Sequence, residues 1–491
     1  MRTIQATAST TPVSTGSATG DEPSGAPSGT PSGAPSGAPS GAPARRFGLS
    51  VAIAIVIANM IGTGVFTSAG FQADALHDPT TMILTWVVGG ILALCGAAAY
   101  AELGTMMPKA GGEYVYLREA YHPVFGFMSG WVSLTAGFSA PIAAASLAFA
   151  RYLATMSPSL ASTHGQKAVA VGLILAVTAL HLFDSVLGGR VQAYLTAAKV
   201  GLILVFIVAG FTVGTGDWGH FASASGGLSE NVPTMAFAIS LMYVSFAYSG
   251  WNAAAYIAGE IENPGRNLPR ALILGTALVM VLYVLLNVVF IYAVSPADLG
   301  NFQGRGPVFE VGDTAGRALF GASAGKALTT LIALALVSAV SAMVMAGPRV
   351  YAAMAEDRAL PPIFAKRSRR GVPMVSVAAQ AVLGILFVLI GKPEELIRYV
   401  GFWLAIFAAL TVASLFVMRY RKVEAGYRTM GYPITPALFI GLSLWIAYAQ
   451  IRQGYNNNFK ELVFAIVTVV AGAVVYALMP GTAATKSGQD S

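Results

Sequence analysis

The chain has 491 residues, of which 55% are hydrophobic and only 10% are charged. Soluble globular proteins carry roughly 25% charged residues, so most of this chain does not face water. A hydrocarbon environment accounts for the composition better than a soluble core does. The net charge of +7 does not indicate nucleic acid binding, because the basic residues lie in short clusters between apolar runs. We therefore expect no nucleic acid partner.

The first 44 residues are polar, and the unit Pro-Ser-Gly-Ala recurs within them. They contain no apolar stretch of the kind that a signal peptide carries. A segment rich in proline, glycine and serine buries little apolar surface, so residues 1–44 are predicted to be a disordered cytoplasmic tail. A tethering or regulatory role for this tail stays open. Residues 482–491 are predicted to be a second, short cytoplasmic tail.

Twelve apolar stretches lie between the tails, and each is about as long as a helix that crosses the hydrocarbon, which needs about 20 residues. Residues 45–481 are therefore predicted to be an all-α integral membrane domain with twelve spans. In chain order the spans lie near residues 48–75, 82–107, 123–154, 167–184, 188–214, 233–259, 267–293, 323–355, 372–391, 395–419, 433–451 and 459–479.

Lysine and arginine residues are unevenly distributed between the loops. When the N-terminus is placed inside the cell, most of them fall in cytoplasmic segments, and the external loop 216–231 has none. Loops with an excess of positive charge stay on the cytoplasmic side. Both termini are therefore expected in the cytoplasm.

Spans one and six contain interruptions at mid-membrane depth. Span one reads Ile-Gly-Thr-Gly-Val-Phe over residues 61–66, and span six reads Phe-Ala-Tyr-Ser-Gly-Trp-Asn over residues 246–252. Glycine readily leaves helical geometry, and unwound backbone in a bilayer is tolerated only where it is buried in protein or lines a cavity. Close helix packing is the alternative role of such glycines. Because the breaks fall in spans one and six, they indicate an inverted repeat of five helices around a binding site.

The backbone of a broken helix offers groups of both signs to a ligand. Free N–H groups at the start of the second half-helix attract an anion, and carbonyl groups that end the first half-helix attract a cation. A free amino acid carries a carboxylate and an ammonium group on one carbon atom. Its two charged groups therefore suit a site at such a break.

Three separated motifs resemble the amino acid–polyamine–organocation superfamily, and most closely its L-type amino acid transporter branch, including bacterial members. The motifs are residues 61–66 in span one, residues 101–114 after span two, and residues 259–270 after span six. The resemblance is close from residue 46 to about residue 360 and looser from there to residue 479.

This resemblance implies the leucine-transporter (LeuT-like) fold with a five-plus-five inverted repeat and two extra helices. The first repeat would cover about residues 48–214, the second about residues 233–419, and the extra helices about residues 433–479. It also implies transport by alternating access, in which spans one, two, six and seven move against spans three, four, eight and nine.

Individual site residues follow from the same resemblance. Backbone N–H groups at Thr63 and Gly64 would bind the substrate carboxylate, carbonyl groups at Met60, Phe246 and Ser249 would bind its ammonium group, and Phe246 would cover the substrate as a gate. Threonine stands at position 63 where serine is usual, and serine at position 249 where glycine is frequent. Tyr283 in span seven also matches the family and is expected to face the cavity, with packing as the alternative role of an isolated aromatic residue. The expected substrate-binding residues are Met60, Gly62, Thr63, Gly64, Phe246, Ser249 and Tyr283.

Lys199 lies near the middle of span five, where a cation costs about 2.5–3.5 kcal/mol on insertion scales. It is therefore expected to face the interior and have a partner, with snorkelling to the membrane surface as the alternative. In sodium-independent relatives of this fold, a lysine in this position takes the place of a sodium ion. By this resemblance we expect Lys199 to contact carbonyl groups of the first break and hydroxyl groups of Ser338 or Ser341. Proton coupling through Lys199 stays open.

The expected function is sodium-independent exchange or proton-linked symport of amino acids, without a cofactor or a metal ion. No acidic residue lies at mid-depth in spans one, three, six, eight or ten, which favours neutral L-amino acids. A cationic amino acid or polyamine permease and a transport-inactive amino acid sensor of the same fold are the alternatives. A membrane enzyme is disfavoured, because the span interiors hold no catalytic set with plausible spacing.

The resemblance also bears on partners and location. Eukaryotic L-type transporters join a heavy chain through a cysteine in the loop after span three, and the matching loop here, residues 155–166, has none. The only cysteine is Cys95, in span two. We expect a protein without a disulfide-linked heavy chain that acts alone in the lipid bilayer of the cell membrane, as a bacterial inner-membrane carrier does.

Overall fold

The computed structural model describes residues 47–479 except residues 184, 223–226, 302, 303, 305, 370 and 458. The predicted tails lie outside the described residues, so their disorder stays a prediction. Within the described part the chain is helical, and its only β-structure is two isolated bridges.

The helices are numbered here in chain order, and a π-helical segment, Ser133–Ser139, joins α5 to α6. The α-helices of the first half are α1 Leu49–Met60, α2 Thr63–Leu76, α3 Pro79–Met106, α4 Glu113–Ala120, α5 Pro123–Val132, α6 Ala140–Ala154, α7 Thr163–Phe183 and α8 Ser185–Thr212. Those of the second half are α9 Gly227–Asn231, α10 Met235–Tyr248, α11 Ala253–Tyr256, α12 Pro264–Ala293, α13 Pro296–Gly300, α14 Val311–Glu356, α15 Met374–Ile390, α16 Pro393–Tyr420, α17 Ile434–Asn457 and α18 Phe459–Leu478.

Nine helical segments of the described chain are long and apolar enough to cross a membrane, and three shorter apolar helices accompany them. Each predicted span coincides with one of these segments. The largest difference is at span eight, because α14 begins at Val311, well before the predicted start at residue 323. Gly321 interrupts α14 with a φ of 79°, so a separate helical piece precedes the predicted span. The all-helical membrane fold is confirmed.

The distribution of side chains is that of a protein surrounded by hydrocarbon. Large apolar side chains on the outer faces of the helices are exposed, among them Val205, Val281 and Ile390. Polar side chains such as Gln72 and Asn287 are instead buried in the interior. Lipid solvates apolar surface and leaves polar groups to find partners inside the protein. The interior is therefore where a polar substrate can be bound.

The long helices pack in two groups. The first consists of α1, α2, α3, α10 and α12, with α12 packed extensively against α3 and α1, and α10 against α2. The second consists of α6, α7, α14 and α15. Helix α8 contacts α1 and α12 from the first group and α14 from the second. We call these sets the first and the second helix group.

The first described residue is joined to the segment that follows α11. The Phe47 N–H donates to the Glu260 carbonyl group at 3.0 Å, and the Glu262 N–H donates to the Phe47 carbonyl group at 3.0 Å. These two bonds flank a parallel bridge between Phe47 and Ile261. The start of span one is thereby fixed to the end of span six.

Candidate functional site

Span one is broken close to the predicted place. Helix α1 ends at Met60, Ile61 is extended with ψ 91°, Gly62 has φ −132° and ψ −148°, and α2 begins at Thr63. Thr63 and Gly64 thus belong to the first turn of α2, not to the unwound segment. The N–H groups in the first turn of a helix have no partner within that helix. They remain suited to an anionic group.

Span six is broken between α10 and α11. Residues Ser249 to Asn252 leave helical geometry, and Gly250 has a φ of +95°, which glycine adopts without strain. A Cβ atom added to Gly250 would lie 2.7 Å from the Asn59 carbonyl carbon. A Cβ atom added to Gly64 would lie 2.4 Å from the Ala247 Cα. The two breaks are therefore packed backbone to backbone.

Tyr283 joins the two breaks. Its buried hydroxyl group donates to the Met60 carbonyl group at 2.6 Å and lies 3.1 Å from the Ala247 carbonyl oxygen. The Phe246 carbonyl group accepts a bond from the Ser249 N–H at 3.0 Å, and Phe246 is buried. The Met60 and Phe246 carbonyl groups, both expected at the substrate ammonium group, thus have protein donors in this conformation.

Lys199 contacts the first break. Its buried ammonium group donates to the Ile61 carbonyl group at 2.7 Å and to the Ala58 carbonyl group at 3.0 Å. The expectation of serine partners needs correction, because both serine hydroxyl groups are bonded to other side chains. Ser338 accepts from the Gln192 amide group at 3.1 Å, and Ser341 lies 2.8 Å from the His181 Nε2. Longer polar side chains from spans four and five reach these hydroxyl groups.

Two small cavities, each of about 50 Å³, border the break in span six. Both are lined by Ser249, Gly250, Asn252 and Glu113. The first cavity lies between the π-helical segment of span three and α16 of span ten. Its further lining includes Asn59, Ser133, Gly137, Phe138, Trp403 and Phe407. Of the predicted substrate-binding residues, Ser249 lines these cavities, while Met60, Gly62, Thr63, Gly64, Phe246 and Tyr283 are not among their lining residues.

Glu113 is a residue of this site that sequence reasoning did not assign. Its side chain is buried and accepts hydrogen bonds from the Tyr100 hydroxyl group at 2.7 Å and from the Asn252 amide group at 2.9 Å. Burial raises the pKa of the Glu113 carboxyl, against the opposing effect of these donors. The glutamate thus reaches the break in span six from α4, a helix outside the spans.

A local turn places Glu113 there. Gly111 and Gly112 have φ values of 120° and 53°, so the chain reverses after α3 and starts α4 at Glu113. Both values lie in the region that glycine adopts most readily. The pair of glycines was visible in the sequence, but nothing in the spacing shows that the turn directs the next side chain inward.

Ion pairs join neighbouring segments at the end of the molecule that carries α4, called here the α4 end. Arg349 of α14 lies 3.3 Å from Glu260, which follows α11. Arg419 of α16 binds the fully buried Glu102 of α3 at 2.7 Å. The first of these pairs joins the segment after α11 to the second helix group, and the other joins the first helix group to α16.

A family model described as "Amino acid permease" matches residues 47–483. The chain belongs to the amino acid permease family. This permease is 31% identical to the b(0,+)-type amino acid transporter 1 of Oryctolagus cuniculus, with 74% of each chain covered. It is 29% identical to the serine/threonine exchanger SteT of Bacillus subtilis, with 79% of the permease and 86% of SteT covered. It is 28% identical to the large neutral amino acids transporter small subunit 2 of Homo sapiens, with 74% and 68% covered.

These likenesses decide the class of protein. The predicted membership in the amino acid–polyamine–organocation superfamily is confirmed, and so is amino acid transport, because the family and the relatives are transporters and not enzymes. The helices described above make the permease a membrane protein. The roles of individual site residues stay predictions.

Proposed function

We propose that this permease moves neutral L-amino acids across the cell membrane by alternating access, as a sodium-independent exchanger or a proton-linked symporter. The observation that carries the proposal is the contact between the two helix breaks, which the Tyr283 hydroxyl group joins at the centre of the first helix group. The names of the relatives, which include a serine/threonine exchanger and a transporter of large neutral amino acids, support the substrate class.

The proposed binding mode uses both breaks. The substrate carboxylate binds the N–H groups of Gly62, Thr63 and Gly64 at the start of α2. The ammonium group binds carbonyl groups at Met60, Phe246 and Ser249, and Phe246 covers the substrate. Because Tyr283 and the Ser249 N–H hold two of these carbonyl groups, the ammonium group must replace them as donor. Tyr283 then keeps the Ala247 carbonyl group as its acceptor.

The proposed fold is LeuT-like, with twelve spans in two inverted repeats of five and two extra helices, α17 and α18. The two helix groups correspond to the sets of spans that move against each other, so the packing supports this arrangement. Substrate must favour one arrangement through contacts that differ between the two states. The α4 end is cytoplasmic in this proposal, and both termini lie on that side.

The permease is further proposed to act without a disulfide-linked heavy chain, although one relative is named as a small subunit. The single cysteine, Cys95, is buried in α3, and a buried thiol is poorly placed for a bond to another chain.

Counterflow tests the function directly. Purified protein in liposomes loaded with one unlabelled amino acid at a time is expected to accumulate the same amino acid, labelled, from outside. Neutral amino acids should give signal, and liposomes without protein serve as the control. A protein that binds amino acids in a thermal-shift screen but shows no counterflow would be a sensor, and the proposal would be wrong.

The position of Gly137 in the first cavity leads to a prediction about which substrate sizes the permease transports. Gly137 lines this cavity, and a Cβ atom added to it would meet its nearest atom, Ser133 Cβ, at 3.6 Å, an ordinary contact. Gly137→Ala should therefore fold and narrow the cavity. Counterflow of amino acids with large side chains should fall by about tenfold relative to alanine and serine, since overpacking costs about 1–3 kcal/mol. An equal loss for small and large substrates would remove this cavity from the substrate path.

A further inference from the structure

Glu113 stands at the point where the two cavities meet the break in span six. Its carboxylate accepts hydrogen bonds from Tyr100 of α3 and Asn252 of the break. Asn252 also donates to the Tyr256 hydroxyl group at 2.9 Å, and this hydroxyl group in turn interacts with Glu113. One carboxylate thus links α4, span two and span six at the border of a cavity.

Among the residues that the structure describes, those around Glu113 provide hydrogen bonds but no positive charge. The titratable groups that face it are tyrosines: Tyr100 of α3, Tyr116 of α4 and Tyr256 after α11, with Tyr351 of α14 behind Tyr256. From α16, Thr411 reaches Tyr100. None of the ion pairs recorded among the described residues includes Glu113. The buried acid Glu102, by contrast, is paired with Arg419.

A buried carboxylate without a cationic partner is costly to keep ionised, so it attracts a cation or takes up a proton. Each cavity offers about 50 Å³, which is room for a few water molecules because one water needs about 10–15 Å³. This space admits water to the carboxylate, and a proton needs no room beyond that of the water that delivers it. The proton is therefore the cation that fits without rearrangement.

We infer that Glu113 binds a proton that this permease carries together with its substrate, and that opening of the α4 end releases this proton. The inference rests on the proposed function and chooses proton symport within it. It places the proton site on Glu113. Proton coupling through Lys199, which the sequence left open, would use a different side chain. The proton adds to a carboxylate oxygen from water on one side and leaves to water on the other.

The direction of release follows from solvation. In the arrangement described here, burial favours the neutral carboxyl, whose pKa is raised. When the two helix groups separate at the α4 end, Asn252 moves away with span six and water reaches the carboxyl. Its pKa then falls towards the ordinary value, and the proton leaves on the α4 side.

The test measures proton and amino acid movement in the same proteoliposomes. A pH-sensitive dye is enclosed, no pH gradient is applied, and an amino acid that gives counterflow is added outside. The unmodified protein should acidify the interior as the amino acid enters. Glu113→Gln imitates the neutral carboxyl and cannot release a proton, so acidification per amino acid transported, with transport measured by counterflow, should fall to less than about a tenth of that of the unmodified protein.

A matched control lies on the same helix. Glu119 of α4 has a half-exposed side chain paired with Arg118, so Glu119→Gln should change neither measurement. Glu113→Asp keeps a carboxyl group and should keep acidification with a shifted dependence on pH. If Glu113→Gln does not elute as a single species in size-exclusion chromatography, the shift of the pH profile in Glu113→Asp decides the matter, and an unshifted profile contradicts the inference.

Three outcomes overturn the inference. They are transport by the unmodified protein without acidification of the interior, acidification by Glu113→Gln, and a loss of only lysine and arginine counterflow in Glu113→Gln, which would make Glu113 a substrate ligand. Absence of counterflow in the unmodified protein is different, because it refutes the proposed function as well. Counterflow without acidification refutes the proton site alone.

Discussion

Gly64→Ala is expected to abolish transport. The added Cβ atom would lie 2.4 Å from the Ala247 Cα and 2.9 Å from the Ala247 backbone nitrogen. These are backbone atoms of span six, so no side chain can rotate away from the contact. Overpacking of this kind costs about 1–3 kcal/mol or more. Here it would push the backbones of the two breaks apart. We expect counterflow at least about a hundredfold below the unmodified protein, since about 2.7 kcal/mol corresponds to that ratio.

Gly62→Ala is the matched control, two residues earlier in the same segment. Its Cβ atom would meet Ala339 Cβ at 3.6 Å and the Met60 carbonyl oxygen at 3.9 Å, both ordinary contacts. Counterflow should therefore stay within about a factor of a few of that of the unmodified protein, because a substitution that introduces no clash usually has a small effect. Both variants should be measured at equal amounts of monodisperse protein. Equal losses of counterflow in Gly62→Ala and Gly64→Ala would show that transport depends on the backbone flexibility of this segment and not on its contact with span six.

Lys199→Met is expected to reduce transport by at least about tenfold, because hydrogen bonds to a charged group contribute about 1.5–3 kcal/mol each. The variant keeps the length of the side chain but leaves the Ala58 and Ile61 carbonyl groups without their donor. These carbonyl groups end α1, so their orientation determines the shape of the first break. Counterflow rates and apparent affinities, measured together, will show whether substrate binding or the conformational change is lost.

Lys167 provides the control for this substitution. It also donates to a main-chain carbonyl group, that of Leu389 at 2.6 Å, but in an exposed position. Lys167→Met should leave counterflow unchanged, because water replaces the lost donor. In the unmodified protein, replacement of sodium by choline should not alter the rate if the Lys199 ammonium group serves at the first break. A rate that depends on sodium would contradict that role.

The sequence predicts the positions of the breaks and of Lys199 because unwound backbone and a charged side chain are both unfavourable in the hydrocarbon of a membrane. Glycine beside polar residues at mid-depth favours local unwinding of a span, and a lysine there must find partners. The break in span one is nevertheless narrower than expected, because Thr63 already starts α2. The prediction of a carbonyl contact for Lys199 agrees with the structure, whereas the serine partners were wrong because Gln192 and His181 reach Ser338 and Ser341 first.

Glu113 shows what the sequence could not provide. Its position after span two resembles that of any polar loop residue, and its burial depends on the turn at Gly111 and Gly112 and on packing against span six. Such long-range contacts leave no periodic pattern along the chain. The absence of acidic residues at mid-depth in spans one, three, six, eight and ten therefore did not reveal Glu113, which enters from outside the spans.

The bridge between Phe47 and Ile261 has a consequence for work with the protein. Through two main-chain hydrogen bonds, the residue that follows the tail shares the movement of the strand-like stretch leaving span six. A bulky fusion, a surface anchor or a bound antibody placed immediately before residue 47 would therefore act on one of the two segments that rearrange in the proposed transport cycle. Attachment points for labels and tags are better chosen elsewhere on the chain.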